Sequence, residues 1–394
     1  MERILSTELA AHAGEEVVLQ GWLHRQRRLA NVSFVVLRDR AGLAQIVLEE
    51  AAELLPETVL EVRGRVVTEP QVELHDAHLT VLAAPAEQPP LELHRPEPKE
   101  SLPVRLDLAP LALRHPAVRD RFKVAARAVA AFRETLDAKG FTEIQTPKLV
   151  ATATEGGANL FRVDYFGGDA FLAQSPQFFK QTMVGVFERV YEVGPVFRAE
   201  PHETGRHLSE YVSLDAELGF IRDHRDVMAV LRDVVCAMIE AAGGTPPSDV
   251  PVVRFEDVRT REEPDLAPDD ERRICAEHGE LVFVEGYPTA KRPFYTHPDP
   301  DRPEWSRGFD LLYRGLEIVT GGQRLHRYGD YLAALGQRSI DPAPFGTYLD
   351  AFKYGMPPHG GFAIGLERFT AQVLGLGNVR ETALFPRDRN RLAP

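Results

Sequence analysis

One short stretch fixes the kind of sheet that this 394-residue chain must build. From Tyr211 to Phe220, Val212, Leu214, Ala216, Leu218 and Phe220 alternate with Tyr211, Ser213, Asp215, Glu217 and Gly219. That period of two predicts a half-buried strand, apolar on one face and polar on the other. Tyr191 to Phe197 reads as the preceding strand, and Pro201 to Gly205 supplies turn residues between them. The result is a long hairpin whose polar side carries Arg198, Glu200, Arg206 and His207. Guanidinium groups bind phosphate oxygens in pairs, so this face suits a polyphosphate and its metal ion. A surface hairpin laced with cross-strand ion pairs has the same pattern, and the hairpin alone does not separate the two.

The rest of the chain supplies the frame. Val17–Trp22, Ser33–Leu37, Ala44–Leu48, Val59–Val67 and Leu79–Leu82 read as five short strands, most of them rich in β-branched residues. Five strands in about 84 residues predict a small oligonucleotide-binding barrel (the OB-fold) over residues 1–84. His24-Arg25-Gln26-Arg27-Arg28 reads as a basic turn after its first strand, near Trp22 and Phe34. Cations and exposed aromatics of this kind suit a nucleic-acid strand, although a solvated basic turn is the plainer alternative. Residues 85–116 hold eight prolines and read as an extended, stiff linker. Residues 117–394 then give a helix from about Ala117 to Lys139, the hairpin, and a second helix near Asp226 to Ala242. Further strands are expected at Phe309–Tyr313 and Gly315–Val319, and a helix at Leu366–Leu374. Hairpins and helices without βαβ alternation predict an α+β domain with an antiparallel sheet.

Composition narrows the class without naming it. A net charge of −13 argues against a protein that coats nucleic acid indiscriminately, but not against a local basic patch. Cys236 and Cys275 stand far apart and form no zinc or disulfide pattern. The N-terminus lacks the apolar stretch of a secretion signal and nothing later is long enough to span a bilayer, so a cytoplasmic location is expected. There is no GxxxxGK[ST] loop, GxGxxG turn, GxSxG elbow or HExxH pair. A nucleotide bound here must therefore be held by side chains on an antiparallel sheet. Glu317 and Thr320, followed by Gly321-Gly322, offer hard oxygen ligands for magnesium. Gln174-Ser175-Pro176-Gln177 leads to Lys180, and Gly365-Leu366-Glu367-Arg368 opens a helix with an arginine.

Together these motifs resemble the class II aminoacyl-tRNA synthetases. Phe197-Arg198-Ala199-Glu200 with Arg206-His207-Leu208 is similar to their motif 2, Gly365 to Phe369 to motif 3, and Pro147 to the motif 1 proline. Ala151 to Gly157, Gln174 to Lys180 and Gly315 to His326 resemble the aspartyl enzymes of the archaeal type, across nearly the whole chain. The resemblance implies ATP as substrate, a Mg2+ cofactor and a homodimer built on the motif 1 helix and strand. It places Arg198, the catalytic cation, on the α-phosphate and the substrate carboxylate. Glu200 would meet adenine, Arg206 and His207 the outer phosphates, and Ala199, Leu208, Gly365, Leu366, Glu367 and Arg368 would complete the ATP site. Arg368 would stack on adenine opposite Phe220, and Glu317 and Thr320 would hold the metal.

Amino-acid choice, in the same reading, rests on Lys180 and Arg324 facing a side-chain carboxylate, with Glu155, Gln177, Arg198 and Thr320 around the rest of L-aspartate. An uncharged asparagine would leave buried cations unpaired. Relatives that reject tRNA(Asn) carry tryptophan after the Gly-Trp-x of the first strand. Here Gly21-Trp22-Leu23 is followed by His24. With Pro70 beyond the fourth strand, this points to an enzyme that charges both tRNA(Asp) and tRNA(Asn), the second product passing to a downstream amidotransferase. The alternatives are an enzyme confined to tRNA(Asp), an asparaginyl-tRNA synthetase, a catalytically dead RNA-binding paralogue and a free amide ligase. Intact Arg198, Glu317 and Arg368 speak against the dead paralogue, and the barrel speaks against the amide ligase.

Overall fold

The computed structural model describes residues 2–29, 32–49, 53–151, 160–201 and 204–393. The chain divides into two compact units, Met1–Arg119 and Asp120–Pro394. In the first, β1 (Glu16–Leu29), β2 (Val32–Arg38), β3 (Leu43–Leu48), β4 (Val59–Val67) and β5 (Glu73–Ala83) close a barrel in the order β1-β2-β3-β5-β4. Leu19, Val35, Ile46, Leu60, Val62 and Leu74 fill it and are fully buried. The five-stranded barrel expected from the sequence is present, with longer strands than the alternation suggests. The basic run is part of β1 and not a turn: Arg25 pairs with Val36, Arg27 with Phe34 and Arg28 with Ser33. A bulge between Leu23 and Arg25 resets the alternation, and exposed strand positions tolerate arginine as readily as a turn does.

Residues 85–116 do not run extended. They form two short helices, α1 (Leu102–Asp107) and α2 (Ala109–Ala112), with Pro103 and Pro110 in their first turns. The missing proline N–H is harmless there, because those N–H groups have no intrahelical partner. Leu91, Leu93 and Ala112 bury a small cluster of their own, and the Arg114 guanidinium reaches the Glu57 carboxylate at 3.2 Å.

The second unit is built on an eight-stranded sheet. Its strands are β6 (Thr142–Glu143), β10 (Arg189–Phe197), β11 (Glu210–Gly219), β12 (Val252–Arg254), β13 (Leu281–Glu285), β14 (Gly308–Tyr313), β15 (Leu316–Gln323) and β16 (His359–Gly365). Their order is β12-β13-β14-β15-β16-β11-β10-β6, parallel only at the two edge pairs. A smaller sheet of β7 (Leu149–Val150), β8 (Arg162–Tyr165) and β9 (Gly168–Leu172) lies outside it. The helices are α3 (Pro116–Ala138), α4 (Gln177–Phe187), α5 (His224–Ala241), α6 (Phe255–Val258), α7 (Pro268–His278), α8 (Tyr328–Gln337), α9 (Gly346–Lys353) and α10 (Leu366–Val373). Phe132, Leu214, Leu231, Phe362 and Phe369 belong to the shared core. Among the described residues, no helix is long and apolar enough to cross a membrane.

The predicted hairpin forms, with Phe197 opposite Glu210 and Arg189 opposite Leu218. The strand is more deeply buried than the half-buried one expected, however. From Ser213 to Gly219 every residue of β11 is buried, Asp215 and Glu217 included. β11 is an interior strand, covered on both sides. Its neighbour β16 comes close because it opens His359-Gly360-Gly361. A Cβ on Gly361 would collide with the Ala216 carbonyl oxygen and the Glu217 carboxylate. Gly361→Ala is therefore expected to destabilise the protein by about 1–3 kcal/mol through overpacking. Thermal unfolding checks this, and an unchanged midpoint would contradict the close approach of these strands.

Candidate active site

β11, β15 and β16 floor an open cavity, walled by the hairpin and by α10. β10 ends at Phe197, and the Arg198 backbone N–H then bonds the Ser209 carbonyl at 2.9 Å. This closes the neck of the hairpin and sends Arg198 and Glu200 into the cavity, with Arg206, His207 and Leu208 from the return arm. From the other side come Glu317 and Thr320 of β15 and Gly365, Glu367 and Arg368 of the β16–α10 junction. The Arg368 guanidinium spans the two groups. Its Nε lies 3.4 Å from the Arg206 carbonyl oxygen, and its Nη1 3.6 Å from Glu317 Oε1. Gln177, at the first turn of α4, lines the far end and is buried. Ala199 and Leu366 lie beside the cavity without lining it, Leu366 being packed against the core.

Phe220 is not part of this site. It follows the end of β11, is 72% exposed and takes a left-handed backbone at φ 56°. Nine residues of strand, roughly 30 Å, separate it from Tyr211, the aromatic that does line the cavity. The Arg198 guanidinium carbon stands 5.9 Å from the Tyr211 ring centroid. The resemblance was carried onto the aromatic at the far end of the strand, whereas Tyr211, at the hairpin end, is the one that lines the cavity. Glu155 falls outside the described residues.

Lys180 and Arg324 are brought together behind the cavity rather than at its surface. The Lys180 Nζ lies 2.9 Å from Asp215 Oδ1, 3.0 Å from the Phe362 carbonyl oxygen and 3.4 Å from Glu217 Oε2. Arg324 donates from Nε to Glu217 Oε1 and from Nη2 to the Gly361 carbonyl, both at 3.0 Å. Both side chains of the central pair are essentially inaccessible, Lys180 at 1% and Glu217 at 0%. Burial would raise the Glu217 carboxyl, but Arg324 and then Lys180 outweigh it and hold the group below its ordinary value. Asp215 links this array to the cavity, whose wall it forms.

The same cavity carries carboxylates short of positive charge. Burial and then the Asp310 carboxylate push Glu317 up to about 7. The Thr320 hydroxyl lies 3.2 Å from Glu317 Oε1. Glu271, on α7, bonds the Glu317 backbone N–H at 3.2 Å and pairs with Arg206 at 3.3 Å. A carboxylate and a hydroxyl suit a hard divalent cation, so the residues present fit such an ion. Among the described residues no third His, Cys, Asp or Glu closes a cluster, and phosphate oxygens and water would complete its shell.

Comparison with known proteins gives this geometry a family. The model for tRNA synthetases class II (D, K and N) matches residues 101–389, and that for the OB-fold nucleic acid binding domain residues 17–82. The chain belongs to the class II tRNA synthetases. It is 45% identical to the aspartate–tRNA(Asp/Asn) ligase of Thermus thermophilus, covering 100% of both chains. To the protein of the same name from Deinococcus radiodurans it is 43% identical, covering 100% of this chain and 99% of that one. The asparaginyl-tRNA synthetase of Pyrococcus horikoshii, complexed with asparaginyl-adenylate, superposes with a TM-score of 0.93 at 31% identity over 100% of each chain. Synthetases of this class use ATP with a divalent metal.

In the barrel of this synthetase, Pro70 is exposed but His24 is buried, at 8%. Its Nδ1 lies 3.3 Å from Arg38 Nη1, and Arg38 is clamped to Glu57 by two bonds of 2.8 Å. Burial first, and then Arg38, lower the His24 ring to about 4 and keep it neutral. Four residues in or beside the candidate site escaped sequence reasoning. Asp215 and Glu217 were visible only as polar members of a strand, Tyr211 as its first residue, and Glu271 lay in an acid-rich stretch with no readable pattern. Asp215 and Glu217 carried one usable signal, two acids spaced i and i+2 on a strand otherwise fit for a core.

Glu367 offers a test of the cavity's dryness. Both its oxygens lie 3.2 Å from the Val212 backbone nitrogen, and burial raises its carboxyl to about 7 from 4.5. The folded state thus holds a proton that the unfolded chain releases between these values. The associated stability is complete below 4.5 and is lost as pH rises through about 7. Glu367→Gln should therefore gain up to about 3 kcal/mol over wild type at pH 8, and the two should converge as pH falls. Urea unfolding across pH measures this, and parallel stability curves would contradict it.

Proposed function

We propose that this synthetase attaches L-aspartate to tRNA(Asp), and also to tRNA(Asn), through an aspartyl-adenylate. The observation that carries the reading is the buried Lys180–Arg324 pair behind Asp215. Two cations and two carboxylates make the free array neutral. An incoming aspartate can exchange with it, its side-chain carboxylate meeting Lys180 and Arg324 and its ammonium group meeting Asp215 and Gln177. Asparagine offers a neutral carboxamide, which cannot take the place of a resident carboxylate as partner of these cations without leaving buried charge uncompensated, and the site rejects it on that ground. The Gln177 Nε2, buried with no hydrogen-bond partner among the described residues, can donate to a carboxylate oxygen of the amino acid, while only the amide oxygen of Gln177 can accept from its ammonium group. A second reading, asparagine as substrate, draws on the likeness to the Pyrococcus horikoshii enzyme; the lysine–arginine pair weighs against it.

ATP would lie along the rest of the cavity. Arg198 takes the α-phosphate and the α-carboxylate, Arg206 and His207 the outer phosphates, and adenine sits between Arg368 and Tyr211 near Glu200. Mg2+ held by Glu317 and Thr320 would neutralise phosphate charge. No protein nucleophile is required. The aspartate α-carboxylate attacks the α-phosphorus and pyrophosphate leaves; the terminal ribose hydroxyl of tRNA then attacks the adenylate carbonyl, the ester forms as the acyl–phosphate bond breaks, and AMP leaves with the hydroxyl proton released. The chain's own part is alignment and fixed positive charge. A homodimer and an amidotransferase that consumes Asp-tRNA(Asn) complete the proposal.

Two experiments bear on it. Side-by-side aminoacylation of purified tRNA(Asp) and tRNA(Asn) should give comparable rates, and charging of tRNA(Asn) roughly 10³-fold slower would end the claim of dual specificity. In aspartate-dependent ATP–pyrophosphate exchange, Arg198→Ala should lose about 10²–10³ in kcat. In the same assay Tyr211→Ala should raise KM for ATP by about tenfold or more, the worth of a lost base–aromatic stack, while Phe220→Ala leaves it unchanged. The reverse order would restore Phe220 to the site.

A further inference from the structure

Next to Lys180 on α4 stands a residue that the aspartate reading does not use. Gln181 is fully buried, and its amide is saturated by three different elements. Its Nε2 lies 3.2 Å from the Tyr331 hydroxyl of α8 and 3.1 Å from the His359 Nε2 of β16. Its Oε1 accepts from the Tyr348 hydroxyl of α9 at 2.8 Å. The His359 ring is equally enclosed. Its Nδ1 sits 2.9 Å from the Pro357 carbonyl oxygen, which only accepts, so Nδ1 carries the proton and Nε2 accepts from Gln181. Burial lowers the ring to about 4, so this polarity persists at neutral pH.

The connection matters because β16 is the platform for both selecting cations. Arg324 bonds the Gly361 carbonyl and Lys180 the Phe362 carbonyl, and the Arg324 backbone N–H bonds the His359 carbonyl at 2.9 Å. Lys180 and Gln181 are adjacent on one helix. The Gln181–His359 bond therefore closes a ring: α4 to the start of β16, along β16 to both cations, and back through Lys180 to α4. Without it, the hydrogen bonding of α4 to β16 would rest on the long, flexible lysine side chain, whose Nζ can pivot among three acceptors.

We propose that Gln181 and His359 are positioning residues for amino-acid selection, fixing the separation of Lys180 and Arg324 at the spacing a carboxylate requires. This rests on the reading that those two cations receive the substrate's side chain. The test is steady-state ATP–pyrophosphate exchange with aspartate and with asparagine. Gln181→Met keeps the volume and deletes the bonds. It should raise KM for aspartate roughly 10- to 100-fold and narrow the aspartate-to-asparagine ratio of kcat/KM by at least tenfold, with KM for ATP within about twofold. His359→Gln restores an acceptor for Gln181 and should retain most of the ratio. Gln181→Glu, nearly isosteric, serves as the second variant if the methionine protein does not fold, and the same split is expected of it. Equal losses for aspartate and ATP, or an unchanged aspartate-to-asparagine ratio in a folded variant, would overturn the clamp. Lys180→Met separates the two levels: if it leaves asparagine rejected as before, the carboxylate reading itself falls.

Discussion

The ion array of Lys180, Arg324, Asp215 and Glu217 sets the terms for everything around it. Four charges held out of water are tolerable only while every one keeps its partner, and removing a single member of such a pair costs on the order of 3–5 kcal/mol. The main chain joins the array as well, since the carbonyls of Gly361 and Phe362 each accept from one of the cations. A strand can offer carbonyls to buried side chains only if nothing projects in their way. This explains a glycine at 361, where a side chain would strike β11. The array thus dictates sequence on three elements that are distant along the chain. It also requires them to be stiff, because elements that moved apart would leave a buried charge without its partner.

From this anchor the cavity is laid out by strand geometry. Tyr211, Ser213, Asp215 and Glu217 share one face of β11, and alternate residues on a strand are spaced by roughly 7 Å. Tyr211 stands by the hairpin neck and Glu217 lies deep beside Arg324, so one strand measures out the length of the site. In the proposed reading it runs from the adenine end to the amino-acid end. The hairpin that carries Arg198 is thus attached to the same rod that carries the selecting carboxylates. The rod fixes the distance between phosphate chemistry and amino-acid choice.

The legibility of the sequence follows from the same physics. The hairpin, the helices at 116–138 and 224–241 and the β16–α10 junction were readable, because burial of one apolar stripe imposes a period. The cavity residues Arg198, Arg206, Glu317, Thr320 and Arg368 were readable as groups, because their spacing in the chain is characteristic of a family. What could not be read was depth. Asp215 and Glu217 have the alternation of a solvent face and the burial of a core, since their desolvation is compensated by partners 35 and 107 residues away. The proline-rich stretch failed for a local reason. Proline forbids the middle of a helix but not its first turn, so composition alone misjudged residues 102–112.

The barrel raises the same question of depth at position 24. A residue that reads an RNA base by contact must be reachable, and the His24 side chain is not. It touches Arg38, whose guanidinium is clamped to Glu57 on one side and stands 5.7 Å from the centroid of the Trp22 ring on the other. Trp22 is more than a third exposed. One route for an influence of His24 on RNA is the placement of Arg38 and Trp22. A bulkier side chain at 24 would have to displace an arginine whose carboxylate partner is itself buried, and that rearrangement is the physical lever by which one interior position can alter what the barrel surface accepts. The neutrality of His24 belongs to the same argument: a charged imidazolium beside Arg38 would repel it from the place it now holds.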